Sequence, residues 1–266
     1  GNDVQVDMTQ MRYRRPRRLP LDSSGNPNGG RYCRGFWEIG NSKLTSGTQI
    51  TPAVLTNGVN NVDATSYQTA SVTPIAGRPV LLVVENTKTG GGDAPAVSGG
   101  GLEFTSIANH TQGTRRLTAF WGISDTPVAG VITLDFAGVT QTGCQWQVID
   151  LAGAHPTAPI VQSKTGGSAG VTSISVTFDA GFGDATNNLA LACYSKSQDT
   201  EAFTEEAGWT QLVDQSDTLP NTRSGSMQRL GGSDLSPSVS WTTSTGANMI
   251  ALEIKASGAT ATGNIY

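Results

Sequence analysis

From about Gln49 onward, apolar residues fall in short runs separated by Gly, Pro, Asn and Asp. Several runs alternate strictly. Ile132, Leu134 and Phe136 point one way and Thr133 and Asp135 the other, a period of two that places one strand face on a core and the other in water. Runs of this kind predict strands over 67–73, 79–86, 102–109, 116–122, 130–137 and 144–151. A second group is predicted over 171–178, 188–195, 209–215, 224–230, 238–243 and 248–255. No stretch longer than a turn or two shows helical spacing, so the chain reads as all-β.

The two groups resemble each other in order. VLLVVENTK (80–88) matches LALACYSKS (189–197), and GGLEFTSIANHT (100–111) matches AGWTQLVDQSDT (207–218), pairing Phe104 with Trp209. GVITLDFAG (130–138) matches SVSWTTSTG (238–246), and CQWQVIDLAG (144–153) matches NMIALEIKAS (248–257). The expectation is a jelly-roll-like antiparallel β-sandwich body over 48–257, built from degenerate repeats at about 65–153 and 170–257. The polar connection 154–169 suggests halves packed side by side. Residues 258–266 read as a flexible C-terminal tail.

Residues 1–47 have no sustained periodicity. Pro16, Pro20, Pro27 and the SSGNPNGG stretch forbid a long helix and favour an extended N-terminal arm. Tyr32, Phe36 and Trp37 form an apolar cluster within it, which reads as a docking point on the body or a neighbouring subunit. The arm also carries RYRRPRR, with Arg12, Tyr13, Arg14, Arg15, Arg17 and Arg18.

Charge sharpens this division. The chain has a net charge of −4, with 17 basic and 21 acidic residues. Residues 1–40 hold seven arginines and four acids, a balance of +3. The remaining ten basic and 17 acidic residues leave the body at −7. An acidic body repels a polyanion, so only the arm has the charge for nucleic acid. The absence of lysine from residues 1–40, the stiffening prolines and the stacking Tyr13 fit a protein groove better, since guanidinium pairs bidentately with carboxylates. Nucleic acid is therefore not the expected partner.

Candidate chemistry is sparse. Cys33, Cys144 and Cys193 show no CxxC spacing, and the last two lie in apolar runs, which predicts buried free thiols and no metal site. No run is long enough to span a membrane, and no signal-peptide pattern opens the sequence. His110 and His155 sit at loop-like positions without a partner in sequence, and no G-x-S-x-G elbow is present. Asp135, Asp150, Glu205, Glu206 and Glu253 fit solvated faces or loops better than a glycosidase pair. The glycine triplets of TKTGGGDAPAVSGGGLEF lack the phosphate-loop pattern, and FDAGFGDATNN (178–188) lacks calcium-loop spacing, so both read as turns. No catalytic residue and no cofactor is expected. Trp121 and Trp209, at strand ends, are the candidates for stacking on a sugar, with core packing as the alternative. Trp146 and Trp241 read as core.

The order TASVTPIAGRPVLLVVENTKTGGG, SGGGLEFT, RRLTAFWGIS, AGVITLDFAG, TGCQWQVIDLAG, GWTQLVDQSDT and MIALEIKAS, over about 65–257, resembles a β-sandwich domain of uncharacterised virion proteins of tailed bacteriophages, tail-associated or on the capsid surface. The resemblance implies a non-enzymatic structural or attachment role on a virion, in many copies. The expected partners are other virion proteins, further copies of the same chain and host surface glycans. A secreted carbohydrate-binding module is the alternative.

Overall fold

A computed structural model describes residues 49–230 and 234–258. The first eight strands are β1 (Thr51–Asn60), β2 (Ser66–Gln68), β3 (Val80–Thr87), β4 (Ala96–Gly99), β5 (Glu103–Gln112), β6 (Arg115–Ile123), β7 (Ile132–Asp135) and β8 (Gly143–Ala152). Six more follow: β9 (Ile160–Ser175), β10 (Leu189–Lys196), β11 (Thr204–Glu205), β12 (Thr210–Thr218), β13 (Asn221–Arg229) and β14 (Ser238–Ile254). All pairings are antiparallel, and no helix occurs among the described residues.

The first eight strands make a five-stranded sheet, β1-β8-β3-β6-β5, and a three-stranded sheet, β2-β7-β4. The last six make one sheet. Its long path runs β9-β14-β10-β13-β12, and β11 pairs the first part of β14 on the edge opposite β9. In chain order the five-strand sequence is the same in both halves. The end of β9, the start of β14 and β11 stand in the second half where β2, β7 and β4 stand in the first.

Three apolar clusters follow from this layering. One joins the two five-stranded sheets face to face: Leu81, Val83, Leu117, Ile149 and Leu151 from the first half meet Leu189, Leu191, Cys193, Ile250, Leu252 and Ile254 from the second. The other two lie behind, one around Leu82, Phe120, Leu134, Phe136 and Trp146, the other around Phe178, Tyr194, Phe203, Trp209 and Trp241. Central strands β3, β8 and β10 are thus covered on both faces and are buried almost throughout. Each fully buried Leu or Ile contributes about 1.5–3 kcal/mol.

Several expectations are corrected. Strand β1 had no periodic signal, and residues 160–169, read as a connection, form most of β9. Both are edge strands of mixed burial, held by backbone pairing to β8 and β14 rather than by an apolar stripe. The runs 238–243 and 248–255 are one strand, because β14 bends through both layers instead of stopping at a turn. The halves meet face to face, not side by side, since each five-stranded sheet has a second apolar face that only the other can cover. The alternation of Ile132, Leu134 and Phe136 is as expected, all three being buried with Asp135 exposed, and Cys144 and Cys193 are buried free thiols.

The outer strands of the two long sheets share one irregularity. Register slips at Val54/Thr56 in β1, at Ser106/Ala108 in β5 and at Gln211/Val213 in β12, and the β9–β14 pair slips in three places. Each bulge bends its strand and re-aims the backbone groups that would otherwise face outward as a ladder.

Candidate functional site

Arg12, Tyr13, Arg14, Arg15, Arg17, Arg18, Tyr32, Phe36 and Trp37 lie outside the described residues, as does the tail beyond Gly258. Of the two tryptophans proposed for sugar stacking, Trp121 is half-buried on β6, between Leu81 of β3 and Thr105 of β5. Trp209 is 8% exposed, packs in the second-half core and donates its indole N–H to Asp234 at 2.9 Å. Its ring therefore presents no platform to solvent, which corrects that assignment. Trp146 and Trp241 are core residues, as expected.

The remaining candidates also find structural employment. His110 lies within β5 rather than in a loop, and its Nδ1 bonds Asn248 Oδ1 at 2.8 Å. His155 Nδ1 accepts the backbone N–H groups of Thr157 and Ala158, tying a turn. Asp150 and Glu253, read as solvated, are buried. Asp150 pairs with Arg78, and Glu253 accepts from Asn188, from Gln162 and from the Gly183 N–H. Those bonds anchor the 178–188 turn, where Asp184 accepts the N–H groups of Thr186 and Asn187. A shallow cleft of about 560 Å³ opens beside it, lined by His155, Ile160, Asp184, Asn188 and Lys255. Among the described residues no group of three or more His, Cys, Asp and Glu is placed to hold a metal.

The densest chemistry lies elsewhere, at one end of the junction between the five-stranded sheets. Beyond the apolar cluster, the facing positions turn polar: Glu85, Arg115 and Gln145 on one sheet, Ser195, Thr222, Ser224 and Asn248 on the other, all buried. Ties cross the junction. Gln145 donates to Thr222 Oγ1 at 2.8 Å and accepts from Ser224 Oγ at 2.5 Å; Arg115 Nη2 donates to the Gly246 carbonyl at 2.9 Å. His110 bonds Asn248 from β5, and Asn57 bonds Gln215 from β1 at 3.0 Å, so both flanks of the junction carry a side-chain bond.

Glu85 is the unusual member. Burial raises its carboxyl to about 8, opposed by the Arg115 guanidinium and reinforced by the nearby Asp217. Burial also lowers Arg115 and raises Asp217. The folded state thus holds a Glu85 proton that the unfolded chain, with an ordinary value of 4.5, releases earlier. That contribution to stability is fully present below about pH 4.5 and is lost as pH rises towards 8. The melting temperature of the wild-type chain is expected to fall over that window and that of Glu85→Gln to stay flat by comparison, as calorimetry across pH will read. Parallel curves would refute the assignment.

Sequence reasoning missed this site. The available signal was Glu85 closing the apolar run VLLVV, with its nearest basic residue, Lys88, an odd number of positions away and so on the other face of an extended strand. Comparisons of the chain with family models, with curated proteins and with solved structures return no match.

Proposed function

We propose that this chain is a non-enzymatic structural subunit of a bacteriophage particle, tail-associated or decorating the capsid surface. In this reading the arm anchors the subunit to other virion proteins and to copies of itself, and the body faces outward, where its loops meet host glycans. The body is a pair of jelly-roll-like sandwiches descended from one duplicated unit. The observation that carries the reading is the strand order: β1-β8-β3-β6 set over β2-β7-β4 recurs in the second half as β9-β14-β10-β13 with β11 beside β14. The orders 1-8-3-6 and 2-7-4 are those of the two jelly-roll layers, with β5 here on the β6 edge rather than beside β4, and jelly rolls are widely used in viral capsid proteins and in lectins. The contrast between the arginine-rich arm and the acidic body supports anchoring by charge between copies.

Deleting residues 1–40 tests the proposal. The truncated chain is expected to keep the β circular-dichroism spectrum of the full chain and to be lost from purified particles. Normal incorporation of the truncated chain overturns the anchoring role. The secreted carbohydrate-binding alternative rests on the half-exposed ring of Trp121; glycan binding abolished by Trp121→Ala, by a chain that joins no particle, would favour it.

A further inference from the structure

Glu85 and Arg115 face each other inside the junction without completing a bond. Their side chains are 1% and 4% exposed, and the Nε to Oε1 separation is 4.0 Å, too long for a hydrogen bond. Glu85 Oε1 and Arg115 Nε are both buried without a hydrogen-bond partner. Arg115 instead spends Nη2 on the Gly246 carbonyl of the opposite sheet. The charged or titratable groups facing Glu85 are Arg115 from β6, His110 from β5 and Asp217 from β12. β8 adds the Cys144 thiol, which burial and Glu85 push up, and otherwise β8, β10, β13 and β14 present the uncharged Gln145, Ser195, Thr222, Ser224 and Asn248.

We propose that this end of the junction is a proton-controlled latch. While Glu85 holds a proton, Arg115 ties the first sandwich to Gly246 of the second; when the proton leaves to solvent, Arg115 turns back to Glu85 and the polar end opens. The physical reason is the cost of an unpaired buried carboxylate, which the nearest guanidinium relieves most directly. A charge-assisted bond forms at about 2.7–2.9 Å, so the gap to Arg115 must close, and closing it draws the guanidinium away from Gly246. The other ties across the seam, Gln145 to Thr222 and Ser224, His110 to Asn248 and Asn57 to Gln215, are single hydrogen bonds that limit how far the end opens. The facing residues at the apolar end are aliphatic apart from Cys193, whose thiol burial pushes far up and so keeps neutral. The second sandwich therefore swings about that end and the two do not fall apart. With the Glu85 carboxyl raised to about 8, the latch is shut in neutral solution and opens in mild alkali.

Hydroxyl-radical footprinting of the full chain between about pH 6 and about pH 9 tests the latch. Leu117, paired with Glu85 across β3 and β6, reports the polar end, and Leu252 the apolar end; both are fully buried. Modification of Leu117 is expected to rise about tenfold, a shift of about 1.4 kcal/mol in opening, while Leu252 stays constant. In Glu85→Gln both stay low. A flat Leu117 in the wild-type chain, or an equal rise in Glu85→Gln, overturns the proposal. Should the variant not fold, the wild-type chain decides alone: its protonated-carboxyl infrared band must disappear over the same pH range in which Leu117 opens. Loss of that band without opening overturns the latch.

Discussion

Replacing Leu252 by alanine is expected to lower the free energy of unfolding by about 3–5 kcal/mol, among the largest effects available to a single substitution in this chain. Leu252 is fully buried near the C-terminal end of β14, paired with Leu191 of β10, and belongs to the cluster that joins the two five-stranded sheets. Truncation removes its transfer free energy and leaves a cavity walled by two sheets that cannot easily collapse around it. The effect should reach both halves, because the lost contacts are shared between them. Denaturant unfolding followed by tryptophan emission, with Trp146 reporting the first half and Trp209 and Trp241 the second, should move as a single transition to lower midpoint. Leu230→Ala serves as the control. That side chain is 46% exposed, and its loss should change stability by less than about 0.5 kcal/mol. A cost at Leu252 below about 1 kcal/mol would show that the junction is not the shared core described above.

The second large effect is expected at Gly99→Ala. Gly99 ends β4 with φ +121°, a conformation that side-chain-bearing residues rarely adopt, and a Cβ there would collide with the backbone carbonyl oxygen of Val131. Backbone on both sides leaves nothing to rotate away, so either β4 or the segment entering β7 must shift. A loss on the order of 3 kcal/mol or more follows, with hydrogen exchange accelerating first in Ile132 and Leu134, the β7 residues paired with β4. Gly113→Ala isolates the conformational part of that cost. Gly113 has φ +60° and no atom within 4 Å of the added carbon, so only about 1 kcal/mol is expected there. Equal costs at the two glycines would mean that the clash at Gly99 is relieved without disturbing β7.

The strands that the sequence disclosed are those whose environment is written in their own side chains. β7 shows its buried and exposed faces as alternation, and β3 and β10 show burial on both faces as the apolar runs VLLVV and LALAC, whereas β8 buries Gln145, Gln147 and Asp150 among its apolar residues. β1 and the start of β9 carry no such mark, because an edge strand needs only a partner's backbone. The like strand order of the two five-stranded sheets has a counterpart in the order of the sequence matches, but not in their register. The match of VLLVVENTK with LALACYSKS sets Leu81 against Ala190, whereas Leu81 faces the junction and Ala190 the core behind it. Trp209 misled for a related reason: a tryptophan at a strand end looks surface-bound until its indole N–H is seen to find Asp234. The polar end of the junction was least legible. Glu85, Arg115, Asp217 and Asn248 come from four strands, and only the face-to-face packing brings them together.

The bulged edges set a rule for crowds of this molecule. A sheet that ended in a straight ladder would zip to the next copy and go on zipping into a fibre. Here β1, β5, β9 and β12 each break step with their neighbour, so copies held at high local concentration can touch without knitting together. Order among neighbours must then come from side chains, which can be tuned to stop at a fixed number.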